Sequence, residues 1–427
     1  MQFKHKLSYI ALSGVLVIVG LLGITSLTLA QGNPWATKAN MPIPRALLST
    51  SVVDGVIYAI GGGTGPYSDF STVEAYDPKT DTWTTKINMP TPRAGSSTCA
   101  VDGIIYAIGG HWSPGLATVE AYNPVTDNWT SKTPMPTSRG FLSVSVVDGI
   151  IYAIGGCEDV TGIGLSNVEA YDPKTDTWTE KAPMPTARLL LTTCEVDGII
   201  YAIGGASTFT PGASTLKTVE AYDPATNIWT KKADMPTSRA TSAAVTDGMI
   251  YAIGGVNYGG GPGLSTVEVY DPVSDKWTTK TAMPTPRKFL SCCAAEGKIY
   301  AVGGVNSGGS ALATVEIYDP ALDDTTNIVS VGNDNNSSVP ATFRLEQNYP
   351  NPFNPTTKVG FRISDFGFVS LKVFDLLGRE VAILVNEEKP AGSYEVTWNA
   401  ANLPSGVYFY QLKAGDFVET KKLVLMK

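Results

Sequence analysis

Histidine is the side chain best suited to moving protons near neutral pH, and this chain has two, His5 and His111. His5 lies in a basic N-terminal segment read below as a cleaved leader. A serine or cysteine nucleophile with a histidine base would therefore have to use His111, and no Gly-x-Ser-x-Gly elbow accompanies it. One imidazole and no Cys-x-x-Cys pair exclude a zinc site built on histidines. Asp69, Glu158 and Asp159 lack the spacing of a calcium loop, and the run Gly259-Gly260-Gly261 precedes a strand pattern, not the helix of a phosphate loop. The expectation is no metal, no cofactor and no assembled catalytic set.

What remains is binding chemistry. Six arginines, Arg45, Arg93, Arg139, Arg188, Arg239 and Arg287, each follow a proline-rich turn such as MPIPR or MPTSR. Left unpaired, they would form a ring of guanidinium groups suited to the carboxylates of acidic sugars or peptides. Paired with Glu74, Glu120, Glu169, Glu220, Glu268 and Glu316, they would tie the structure together, and their strict recurrence favours pairing. Aromatics that do not recur, Tyr67, Phe70, Trp112, Phe209 and Tyr258, are better placed with His111 to stack on a sugar or fill a peptide pocket. Five cysteines in 427 residues form no disulfide framework. Cys99, Cys194 and Cys293 occupy a position that is Ser51, Ser145 or Ala244 elsewhere, as expected of packed thiols. A vicinal Cys292–Cys293 bridge is the rarer alternative, and Cys157 has no evident partner.

These residues are carried by a unit that recurs six times with a period of about fifty residues, the mark of a repeat architecture. An aliphatic-tyrosine segment ends in a glycine pair, first Gly61–Gly62 and last Gly303–Gly304. A TVEAY segment follows and ends in Tyr76, Tyr122, Tyr171, Tyr222, Tyr270 or Tyr318, with Trp83, Trp129, Trp178, Trp229 or Trp277 seven residues beyond the first five. Asp-Gly or Glu-Gly before the aliphatic segment signals a hairpin, and Asp-Pro-x-x-Asp before the tryptophan signals a turn. Each unit thus predicts four antiparallel strands, a to d, which make one propeller blade. The sixth unit lacks its tryptophan strand, whereas Trp35 stands alone at the other end. A strand carrying Trp35 would complete the blade of Tyr318 and close the ring, leaving no open edge.

The fold class predicted is all-β, a six-bladed propeller followed by a small β-sandwich. Strand order puts the d–a and b–c connections on one face. The b–c loops vary most, with the second glycine and the tyrosine 12 to 17 residues apart, and variable loops on a rigid scaffold suit recognition. Double glycine, then tyrosine, then tryptophan resembles the kelch repeat of β-propellers. Some kelch-like propellers are copper radical oxidases needing two histidines, which one His111 cannot supply. Others act on sugars.

Lys4 and Lys6, an apolar stretch to Ala30, and Thr28 and Ala30 at the −3 and −1 positions read as a secretory signal peptide over residues 1–30. The propeller spans 31–322, and a polar linker 323–341. Residues 342–427 resemble the C-terminal sorting domain of the type IX (Por) secretion system, on YPNPFNPTT from Tyr349, VFDLLGR from Val373, LPSGVY from Leu403 and the terminal KKLVLMK. The resemblance implies engagement of that machinery and export through the periplasm to the cell surface, with no membrane span in the mature chain. A formal charge of −8 without a basic stripe excludes nucleic acid as a partner. The function expected is a secreted, non-enzymatic module for a protein or glycan ligand. The alternative is a sugar- or glycan-acting isomerase or lyase.

Overall fold

The computed structural model describes residues 33–65, 68–111, 114–159, 162–209, 214–257, 261–323, 343–363, 367–389, 392–415 and 417–426. The leader and nearly all of the linker lie outside these residues. Six four-stranded antiparallel sheets form the blades. In blade 1 the strands are Ser49–Val53 (a), Val56–Ile60 (b), Val73–Asp77 (c) and Thr82–Thr85 (d). The a–b hairpin turns at Asp54 and Gly55, both with positive φ (51° and 78°), as a two-residue turn matched to strand twist requires. At the far end of strand b, a Cβ on Gly61 would lie 2.5 Å from the Arg93 carbonyl oxygen, and one on Gly62 would lie 2.6 Å from that of Ala46. Both also have positive φ, so the pair is fixed by space and conformation together.

The core is a set of clusters between blades. One joins Tyr106, Ile108, Val119 and Ala121 of blade 2 to Met135, Leu142, Ile151, Ala153 and Tyr171 of blade 3. The strand-c tyrosine is fully buried in every blade and packs on the strand-b tyrosine of the preceding blade, as Tyr171 does on Tyr106 at 6.0 Å. Within its own blade it tilts against the tryptophan, 5.0 Å away for Trp178. The indole N–H then reaches back one blade, Trp178 donating to the Thr133 carbonyl at 3.0 Å. The tyrosine hydroxyl donates to the acid five residues on, Tyr171 to Asp176 at 2.6 Å, and that acid also accepts the Thr133 N–H.

The ring closes as expected. Trp35–Lys38 pairs antiparallel with Val315–Tyr318, opposing Trp35 to Tyr318. The indole of Trp35 donates to the Thr281 carbonyl at 3.0 Å. Asp323 takes the turn-acid role, accepting from the Tyr318 hydroxyl at 2.6 Å and the Thr281 N–H at 2.7 Å. The propeller's bonding therefore extends one residue past 322, into what the sequence read as linker.

The tail is two antiparallel sheets. Arg344–Leu345, Thr356–Ile363 and Gly392–Asn399 form one, and Gly367–Phe374, Glu380–Lys389, Gly406–Ala414 and Phe417–Leu425 form the other. Residues of both, among them Phe361, Leu371, Tyr410 and Leu423, share one core.

The turn acids give the propeller an acid-sensitive component. Asp81 is held below the usual carboxylate range by the Ala39 N–H and then by the Tyr76 hydroxyl; Asp127, Asp176 and Asp275 are lowered first by Tyr122, Tyr171 and Tyr270. Folded values below unfolded ones mean that this stability is complete above the unfolded pKa of about 4 and is lost as pH falls through the folded values. Blade 4 carries Asn227 instead, with the same bonds from Tyr222 and Ala182. Urea midpoints should be flat from pH 7 to about 5 and fall below about 4. Replacing the four aspartates by asparagine should flatten that fall.

Candidate functional site

The arginine ring is structural. All six arginines have 0% exposure, and each forms an ion pair with the strand-c glutamate of its own blade, as Arg45 with Glu74 at 2.7 Å and Arg287 with Glu316 at 2.9 Å. Carbonyl oxygens at the end of strand b and the start of strand c take further N–H groups. Arg188, for example, donates to Gly204 at 3.2 Å and Thr218 at 2.7 Å. These residues cannot meet a ligand, which corrects their candidacy as ligand contacts. The ion pair lies within a blade rather than between blades. The inter-blade tie is made by the arginine main chain: the Arg93 N–H donates to Phe70 O at 3.1 Å, and its carbonyl accepts the Gly62 N–H at 3.0 Å. Burial lowers the guanidinium pKa, for Arg188 to about 10 despite Glu220.

Of the loop candidates, Tyr67, Trp112 and Tyr258 lie outside the described residues. Phe70 is half-buried, and its main-chain groups bond to Gly62 and Arg93. Phe209 packs edge-on against Phe141 at 4.8 Å, so it belongs to an apolar cluster with Cys157, Leu189, Leu47 and Leu190 rather than standing exposed. His111, at φ 65°, joins its Nδ1 to Asp69 of the neighbouring loop, whose other oxygen accepts the Ala94 N–H at 3.1 Å. Neighbouring loops thus brace one another. The five cysteines are unpaired and the vicinal disulfide is not formed. Burial pushes Cys292 up to about 12, leaving it protonated and unreactive.

The site that sequence reasoning missed is the mouth of the central channel, a cavity of about 190 Å³ on the face of the b–c and d–a connections. Two tiers line it. In the lower tier Ser49, Ser97, Ser143, Ser242 and Ser291 each accept the N–H of a strand-a residue in the next blade, such as Thr98 to Ser49 at 2.9 Å. In the upper tier, the residue two after each arginine takes a left-handed conformation: Leu47 (54°), Gly95 (63°), Phe141 (55°), Leu190 (52°) and Phe289 (57°). Bulky side chains rarely adopt it, and such strain gathers where surrounding structure imposes it. Main-chain bonds link these residues around the axis, from Leu47 N to Phe289 O, Gly95 N to Leu47 O, Phe141 N to Gly95 O and Leu190 N to Phe141 O, at 2.8–2.9 Å. Rim chemistry is therefore hydroxyl, peptide and apolar, with no charge. Leucine and phenylalanine are not turn residues, so composition gave no signal of this tier.

In the tail, the YPNPFNP segment braces the last strand. Phe353 is buried, donates its N–H to Val424 O and accepts that of Met426, each at 2.9 Å. Asn348, also buried, donates to Pro350 O and to Thr357 at 3.0 Å.

Blade count, closure and repeated bonding define a six-bladed β-propeller with a β-sandwich tail. The family models agree. The KLHDC2/KLHL20/DRC7 Kelch-repeats domain matches residues 22–156 and 132–304, and the Kelch motif matches 286–325. The Secretion system C-terminal sorting domain matches 347–426. The chain belongs to the kelch-repeat family and carries a type IX sorting domain, which directs it to the cell surface or the medium. No curated protein matches. The solved structure titled "Structure of YjhT" is similar in fold, with a TM-score of 0.58 and 16% identity over 65% of this chain and 95% of that one. No helix among the described residues is long and apolar enough to cross a membrane.

Blade 1 offers a test of the ion pairs. In blades 2 to 6 a threonine two residues before the arginine donates to the glutamate, as Thr137 does to Glu169 at 2.6 Å. Blade 1 has Ile43 there, and burial raises the Glu74 pKa against the pull of Arg45. Ile43→Thr should stabilise the propeller by about 0.5–2 kcal/mol. Glu74→Ala should cost about 3–5 kcal/mol, because it strands a buried charge. Urea titration checks both.

Proposed function

We propose that this secreted kelch protein is a non-enzymatic binding module whose ligand, a protein or a glycan, docks on the face of the b–c and d–a connections. One observation carries the reading. The central cavity opens on the face where the variable loops gather, and its rim is uncharged, hydroxyl-rich and held by bonds between blades. Rigid concave sites with a few convergent polar groups are where ligands bind. Tyr67, Trp112 and Tyr258 remain the loop aromatics that would add stacking contacts. The type IX tail serves delivery and engages the secretion machinery.

A sugar- or glycan-acting isomerase or lyase is a second reading, favoured by the pairing of His111 with Asp69. A carboxylate that holds Nδ1 orients an imidazole to exchange protons at Nε2. Against it, Glu74, a glutamate of raised pKa beside an arginine, is 1% exposed and does not line the cavity.

A glycan array and a surface pull-down with the secreted chain should yield one saturable ligand. Trp112→Ala and Tyr258→Ala should weaken it at least tenfold, and unchanged affinity would remove the loop face from the account. Incubating a glycan ligand with the protein and weighing the product decides between the readings. Turnover that vanishes in His111→Gln while binding persists would establish the enzyme.

A further inference from the structure

The repeat breaks in one place, and the break falls on the channel rim. From each conserved-pattern arginine to the acid of the a–b turn the chain advances nine residues in five blades, Arg45 to Asp54 for example, but eight in blade 5, from Arg239 to Asp247. Register identifies the missing residue. Elsewhere the bridge Ala46↔Gly63 and the pair Ser49↔Ile60 belong to one unbroken register, whereas in blade 5 it shifts between Ala240↔Val256 and Ser242↔Ile253. The lost position is the left-handed one, equivalent to Leu47. Blade 5 accordingly runs straight through, with longer strands at Ala240–Thr246 and Met249–Val256.

The consequence is a gap in the ring of main-chain bonds. Each left-handed residue donates its N–H to the preceding blade and offers its carbonyl to the next. With the blade-5 residue gone, the Leu190 carbonyl receives no N–H and the Phe289 N–H finds no carbonyl among the described residues. The hydroxyl tier breaks at the same junction, since no bond from Ala243 N–H to Thr192 matches the other five. On the opposite side the rim is sealed. Phe141 lies over Gly95, where a Cβ would come within 2.8 Å of its ring, and joins Leu47 and Leu190 in one apolar cluster. The rim is therefore open at blade 5, with one acceptor and one donor set as a single residue's main chain would satisfy them.

We propose that this gap is a docking site for one main-chain residue of a peptide partner, which donates its N–H to Leu190 O and accepts from Phe289 N–H. The four bulky rim residues sit at φ 52–57°, and a residue filling the gap shares that conformation, so glycine or asparagine in a turn is the fitting occupant. Leu190 and Phe289 flank it as apolar walls, and Thr241 and Ser242 lie beside it. The inference rests on the loop-face reading above and narrows its ligand to a peptide.

The test uses the full secreted chain labelled with ¹⁵N-phenylalanine and the probe N-acetylglycine N′-methylamide. In the free protein the Phe289 amide should exchange with solvent at least tenfold faster than the Phe141 amide. The probe should shift Phe289 saturably and slow its exchange while leaving Phe141 unmoved. Inserting a glycine between Ala240 and Thr241 restores the nine-residue spacing, and should abolish the probe's effect and raise the melting temperature. Should the insertion fail to fold, the Phe289 exchange and titration in the parent protein still decide. Slow Phe289 exchange without probe, no shift, or an undiminished shift in a folded insertion variant would overturn the site. N-acetylglucosamine shifting Phe289 where the peptide probe does not would overturn the peptide assignment. A ligand found on the loop face and indifferent to the insertion would leave the broader reading standing and reject this one.

Discussion

Six guanidinium groups withdrawn from water are the constraint around which the propeller is built. An unpaired buried charge is prohibitively costly, and even a paired one needs its remaining N–H groups satisfied. Each arginine therefore dictates a glutamate on strand c, carbonyls where strands b and c end and begin, and a chain path that brings them within reach. The same arginine's carbonyl accepts the second glycine's N–H in the preceding blade and stands where a side chain on the first glycine would project. One residue type thus fixes the inside of its own blade and the spacing to the next. A leucine of similar bulk would fill the space without specifying distance or register, which is the service that would justify a costly ion pair.

Most of this was legible because it repeats. The glycine pairs, hairpin turns, tyrosine–tryptophan pairs and the closure by Trp35 follow from residue types whose geometry is local or whose partner stands at a fixed offset. Even the role of Asp323 was there to read, five residues after Tyr318 as Asp81 is after Tyr76. The arginines show the limit: recurrence favoured a carboxylate partner, but a sequence cannot say that the pair lies within one blade.

The channel rim was not legible for a different reason. Left-handed conformations at Leu47, Phe141, Leu190 and Phe289 are imposed by inter-blade bonds and run against the preference of those residues. Phe209 looked like an exposed loop aromatic because nothing local discloses that Phe141 lies beneath it. The eight-residue spacing in blade 5 was visible as a number, but its meaning depended on knowing what the ninth residue does in the other blades.

Recurrence and departure from it therefore answer different questions. Features present in all blades serve closure, since a sixfold element has no reason to match a ligand that lacks sixfold symmetry. Specificity has to come from places where blades differ: Gly95 under Phe141, Ile43 in place of threonine, His111 with Asp69, and the missing residue of blade 5. Of these, Ile43 stands beside a sealed ion pair and affects stability alone. The others lie on the loop face, and three of them set which parts of the rim are filled, braced or open. Five bonded rim residues hold the sixth position rigid without occupying it, so a partner that supplies it meets a site already shaped and loses little entropy in ordering it.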